Sequence, residues 1–129
     1  MKLLDTDICI AFLNGKDRKL QRRMLEEADD LLLCSVVKAE LWFGAEGSER
    51  VAENHERLGS FFDTFESLPF DDGAARHYAR VRAVLRRAGE PIGPNDLLIA
   101  SIALANDLTL ITRNQREFVR VPGLALEAW

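Results

Sequence analysis

Brief apolar runs alternate with longer amphipathic stretches along the chain. Met1–Leu4, Leu31–Cys34, Thr109–Ile111 and Leu124–Leu126 are continuously apolar or nearly so, and short enough for buried strands. Ser67–Phe70 reads as another strand, with Pro69 marking a sheet edge. Between these runs the apolar positions recur at helical spacing. The pattern predicts helices over Asp7–Leu13, 17–28, Val36–Gly44, 48–66, from Asp71-Asp72-Gly73 to about Ala88, and Leu97–Asn106. Asn14-Gly15 and Gly89 stand at helix ends, where a left-handed residue is tolerated. Leu97–Asn106 is apolar on nearly every side and belongs at the centre of the domain. Strands alternating with helices predict an α/β domain around a mainly parallel sheet of four to five strands, one domain over residues 1–129.

Polar residues matter most where they interrupt this pattern. Asp5-Thr6-Asp7 follows the first strand, and Thr112-Arg113-Asn114 follows Thr109–Ile111. Ligands of open α/β sheets bind beyond the carboxyl ends of the strands. Glu40 falls on the helix face formed by Val36, Val37, Leu41 and Gly44. A carboxylate there costs free energy unless it is paired, binds a metal or reaches the rim. Asn95-Asp96 opens the buried helix, where either residue also serves as a cap. Ser35 reads as the cap of the helix that carries Glu40. Gathered at one sheet edge, Asp5, Glu40, Asp96 and Asn114 form an oxygen-rich pocket. Its mutual repulsion is relieved by a hard divalent cation, Mg²⁺ or Mn²⁺ rather than zinc.

Composition narrows the classes. The 129 residues are 47% hydrophobic and 29% charged with a net charge of −4, the profile of an ordinary globular protein rather than one that coats nucleic acid. No apolar run is long enough to span a bilayer and the start lacks a signal-peptide pattern, so a cytoplasmic protein without a membrane partner is expected. Cys9 and Cys34 lie in apolar segments without metal-type spacing and read as buried free thiols. Basic side chains cluster in residues 16–23 and along 74–89, where Arg76, Arg80, Arg86 and Arg87 are placed to meet RNA, an acidic partner or solvent. His55 and His77 sit near no nucleophile motif and read as helix-surface or boundary residues.

Four segments in this order, LDTDICIAFL, SVVKAELWFGA, PNDLLIASIALA and LTLITRNQREFVRVPGL, resemble the PIN-domain ribonucleases, and more narrowly the VapC toxins of toxin–antitoxin modules. The resemblance runs from Leu3 to about Leu124. It implies an α/β/α sandwich, a metal-dependent endoribonuclease, a homodimer, and silencing by a cognate VapB-type antitoxin. Its acidic positions fall on Asp5, Glu40 and Asp96, which become the catalytic set, with Asp5 and Asp96 as metal ligands and Glu40 as a proton acceptor. The fourth acidic position falls on Asn114, which lowers the negative charge by one. Thr6 and Thr112 are expected at the rim, and Asp7 in a capping or supporting role. Similarity to the enteric type implies initiator tRNA, cut in the anticodon loop, as the RNA substrate.

Two other classes are distinguishable. The D-x-D of Asp5 and Asp7 also resembles haloacid-dehalogenase-like phosphatases, although after Lys19 the chain has only Lys38 to supply the lysine they need. A non-catalytic partner-binding module is the third reading, with Trp42, Phe43, Phe61, Phe62 and Phe65 forming an apolar groove.

Overall fold

The computed structural model describes residues 1–129. Five strands, β1 (Lys2–Leu4), β2 (Leu31–Cys34), β3 (Glu66–Leu68), β4 (Thr109–Ile111) and β5 (Leu126–Glu127), form one sheet in the order β3-β2-β1-β4-β5. All four pairings are parallel. The helices are α1 (Thr6–Leu13), α2 (Arg18–Glu26), α3 (Ser35–Glu46), α4 (Val51–Phe62), α5 (Asp72–Ala88), α6 (Pro94–Ala105) and the short α7 (Gln115–Phe118). The strands step outward from β1 to β3, and the chain then returns across the sheet to β4. Right-handed crossovers put α1–α4 on one face and α5–α7 on the other. The order reverses between β1 and β4, and a crevice opens there beyond the strand ends.

The core is continuous. Leu3, Leu4, Leu33, Leu110 and Ile111 of the sheet are fully buried against Ile8 and Val37 on the α1–α4 side or Ile99 and Ile102 of α6. Helix α6 contributes six buried residues of its twelve, as its all-round apolarity predicts. Phe118 is also fully buried and anchors α7, an element the sequence pattern did not announce because it is a single turn of four residues.

Several expectations shift. Helix α6 begins at Pro94, a favoured first-turn residue, so Asn95 and Asp96 lie inside its first turn and Gly93 occupies the cap. Ser35 is the first residue of α3 rather than its cap; its hydroxyl donates to the Leu68 carbonyl at 3.4 Å. The buried stripe of α3 is Val37, Leu41 and Ala45, which leaves Glu40 half-buried at its border and Gly44 exposed. On α5 the buried residues are Ala74, Val81 and Leu85, while Ala75 and Ala79 face solvent. Helix α4 stops at Phe62, where Asp63 to Phe65 turn into β3, and β5 starts two residues later than Leu124. Gly89 ends α5 in the left-handed region at φ 69°, as expected. Both cysteines are free and buried, and His55 stacks on Trp42 with ring centroids 4.8 Å apart.

Because Phe118 fixes α7 to the core, Phe118→Ala should lower stability by about 3–5 kcal/mol. Urea unfolding checks this; a loss below about 1 kcal/mol would mean that α7 is not anchored as described.

Candidate active site

Register builds the site. Leu4 is opposite Ile111 in the parallel β1–β4 ladder, so the next residues, Asp5 and Thr112, leave the sheet side by side. The Asp5 amide donates to the Ile111 carbonyl at 3.0 Å. The Thr112 hydroxyl donates to Asp5 Oδ2 at 2.7 Å. Asp5 is also the N-cap of α1, with Oδ1 accepting from the Thr6 amide at 2.8 Å. One carboxylate therefore ends a strand, caps a helix and remains 4% exposed. Thr112 is fully buried beneath it rather than at the rim, and its hydroxyl also lies 3.4 Å from Asp7 Oδ2. It donates to Asp5 and accepts from the Asn114 amide at 2.9 Å.

Glu40 reaches the crevice from α3. Its Oε1 accepts from the Thr6 hydroxyl at 2.7 Å, which resolves the anomaly of an acid on an apolar face. Asp96 arrives from the first turn of α6, where the helix dipole favours a negative charge. Asn114 bridges two acids: its Nδ2 donates to Glu117 Oε2 at 3.0 Å and, more weakly, to Asp96 Oδ2 at 3.4 Å. Glu117 is thus a member of the site that sequence reading passed over. It lies three residues after Asn114, one helical turn, but the signal is readable only once Gln115–Phe118 is known to be a helix.

Arg113 was also passed over. Its amide donates to Asp7 Oδ2 at 3.0 Å. Its guanidinium bonds Asp17 at 2.6 Å and the Trp129 carbonyl at 3.0 Å. The segment Thr112–Asn114 thereby touches Asp5, Asp7 and Asp96 and is tied to α2 and the C-terminal residues. Asp7 is a supporting residue, as expected, although its buried Oδ1 has no hydrogen-bond partner. The four arginines of α5 divide. Gly73 at the start of α5 lies beside Ala105 at the end of α6, so the hairpin is antiparallel. Arg76 and Arg80 are toward the end away from Asp96, and Arg86 and Arg87 are at the near end.

The electrostatics are one-sided. Asp5, Asp7, Glu40, Asp96 and Glu117 form no ion pair with any lysine or arginine. Burial pushes the Asp5 carboxyl up to about 6, against its hydrogen bond from Thr112, with the charge of Asp7 adding to the rise. Asp96 is pushed up to about 7 by burial, by its hydrogen bond with Glu117 and by the charge of Asp5. Glu117 is held below its ordinary value, chiefly by the same bond with Asp96 and then by Asn114, so the shared proton resides on Asp96. Such a set fits a divalent cation: the donors are all oxygen, two carboxyls are reluctant to ionise, and one buried oxygen is unpartnered. No three His, Cys, Asp or Glu side chains converge to cage an ion.

Comparison with known proteins gives the chain's family and fold. The PIN domain model matches residues 2–124. The tRNA(fMet)-specific endonuclease VapC of Shigella flexneri is 37% identical over 127 residues, covering 98% of this chain and 96% of the relative. Ribonuclease VapC2 of Rickettsia felis is 36% identical over 129 residues, with coverage of 98% and 96%. Among solved structures, the DNA-bound VapBC of Salmonella typhimurium matches with a TM-score of 0.95 at 35% identity, covering 99% of this chain and 97% of that one. VapBC2 of Rickettsia felis, bound to a DNA fragment from its promoter, matches with a TM-score of 0.93 at 35% identity, covering 99% and 98%. The phosphatase reading of Asp5 and Asp7 is set aside, since the lysine it requires, Lys38, is held over the Phe62 ring. The sheet order, the acids at its switch point and the full-length matches lead to one assignment: the chain belongs to the PIN-domain family and, within it, to the VapC ribonucleases.

Proposed function

We propose that this chain is the toxin of a type II toxin–antitoxin module, a cytoplasmic Mg²⁺-dependent endoribonuclease that cuts initiator tRNA in the anticodon loop. The observation that carries the catalytic reading is the buried Asp5 beside Asp96, Glu40 and Glu117, none of them ion-paired to a lysine or arginine. Asp5 and Asp96 would hold Mg²⁺, with Mn²⁺ as a substitute. When bound, the ion supplies a water of lowered pKa and neutralises charge on the phosphate. The protein's share of the chemistry lies in four groups. Thr112 orients Asp5 through its 2.7 Å hydrogen bond. Glu40, oriented by Thr6, accepts the proton of the attacking water. Asn114 bridges Asp96 and Glu117, donating to both without adding a charge. Asp7 fixes the Arg113 amide and so the loop after β4. The tRNA substrate is supported by the relatives from Shigella flexneri and Salmonella typhimurium, both named tRNA(fMet)-specific endonucleases.

A VapB-type antitoxin fits the apolar groove between α1, α3 and α4, where Leu13, Leu41, Ala45 and Leu58 lie beside the half-exposed Ile10, with Glu40 and Arg57 at its edge. This groove retains the useful part of the partner-binding reading, although Phe61 and Phe62 are buried in the core rather than displayed. A homodimer accounts for Phe43, 80% exposed on α3 next to Val36 and Ala39.

With Mg²⁺ and initiator tRNA, Asp5→Asn and Asp96→Asn should each slow cleavage by about a thousandfold, and EDTA should abolish it. Glu117→Gln should cost about ten- to a hundredfold as a supporting group. A time course of product formation measures all four, with sequencing of the cleaved ends locating the cut; unchanged cutting by Asp5→Asn, or cutting in EDTA, contradicts the mechanism.

Stability in EDTA gives a second check. Asp5 and Asp96 have folded-state values near 6 and 7 against 3.8 in the unfolded chain, so the folded protein binds more protons between those values. Their contribution is fully present below the unfolded value of 3.8 and is lost as pH rises through the folded values of about 6 and about 7, levelling off only above the latter. In thermal melts across this window, Asp96→Asn should fall less steeply than the parent. Parallel curves would contradict the raised carboxyl.

A further inference from the structure

At the near end of the α5–α6 hairpin lies a cleft of about 590 Å³. Helix α5 provides Tyr78, Arg82 and Arg86, and the opposite wall is Ile92 and Pro94, over a floor that includes Leu97. Three properties set it apart from an ordinary surface dent. The Arg82 guanidinium carbon lies 5.8 Å from the centre of the Tyr78 ring and the group donates to the ring's hydroxyl at 2.9 Å, so the two are held together as one polarised wall. Arg86 has no carboxylate partner, and no acidic residue lines the cleft. Finally, the wall loop also borders the active site: a Cβ on Gly93 would stand 3.5 Å from Asp96 Oδ2. Only one turn of chain separates the cleft from the carboxylate.

We propose that this cleft binds an unpaired nucleobase of the RNA next to the scissile phosphate, with the base against the Tyr78–Arg82 wall and the neighbouring phosphate on Arg86. The proposal rests on the ribonuclease reading above and adds a subsite to it. RNA is read most readily where its bases are splayed out, and such bases are held by aromatic rings and guanidinium planes. An apolar floor takes the base, and unpaired guanidiniums without nearby acids take the anion. The volume lies within the ordinary range for small-ligand pockets. The outer arginines of α5 do not share this position, since Arg76 is ten residues, roughly 15 Å, along the helix from Arg86.

The test uses the full chain in EDTA and a tRNA anticodon stem-loop RNA as the probe, with fluorescence anisotropy as the readout. Cleavage of the same RNA in Mg²⁺ first locates the cut. Tyr78→Leu and Arg86→Gln should each weaken binding by about tenfold, and Arg76→Gln should leave it unchanged. An abasic site next to the cut should weaken binding to the parent about equally, and cost little further in Tyr78→Leu. Circular dichroism verifies that both variants are folded. Equal abasic penalties in parent and variant, or variants that bind like the parent, overturn the cleft as a base site while leaving the nuclease intact. A parent chain that does not cut the stem-loop in Mg²⁺ overturns the tRNA reading and the cleft with it.

Discussion

Leu4 and Ile111 are register partners, and the residues that follow them, Asp5 and Thr112, share one short hydrogen bond at the point where the sheet order reverses. Much of the site hangs on that contact. Thr112 sits where the crevice opens, so its hydroxyl fixes which way Asp5 points. The same hydroxyl accepts from Asn114, and Asn114 in turn reaches Asp96 and Glu117. A one-residue slip between β1 and β4 would exchange the faces of every side chain on the strand and separate these groups. The parallel ladder therefore does more than close the core. It determines which polar atoms meet beyond it.

Burying a carboxylate without a basic partner is costly, and this chain does so at Asp5, with the partly buried Glu40 and Asp96 beside it. Its lysines and arginines are elsewhere. Lys2 and Arg23 pair with Glu27 and Glu127, and Arg113 pairs with Asp17. Burial raises Asp5 and Asp96, and no ion pair from a lysine or arginine offsets it. Asn114 moderates the repulsion where the family pattern has an acid. It donates to two carboxylates at a position where another negative charge would push them apart. Glu117 then restores an acidic group one helical turn later, in a more exposed setting.

Much of this could be read from sequence because it depends on local pattern. The strand exits at Asp5 and Thr112, the apolar central helix and the Gly89 stop are all short-range signals. Glu40 stood out because a charge on an apolar face is anomalous, and its partner proved to be Thr6. Other features were hidden for physical reasons. A four-residue helix has no usable periodicity, so α7 and its Glu117 were not visible. The role of Arg113 depends on Asp17 and Trp129, which are distant in sequence and meet it only through tertiary folding. Asp96 reads as a cap when the helix is started at Leu97, whereas proline at the first position starts it at Pro94, three residues earlier.

The central claim is that Asp5 and Asp96 together hold one divalent cation that displaces protons from them. Calorimetric titration of the RNA-free chain with Mn²⁺ near pH 6.5, in two buffers of different ionisation enthalpy, measures this most directly. Saturable binding with proton release, lost in Asp96→Asn, is the predicted result. Binding without proton release, or unchanged in Asp96→Asn, would contradict the account.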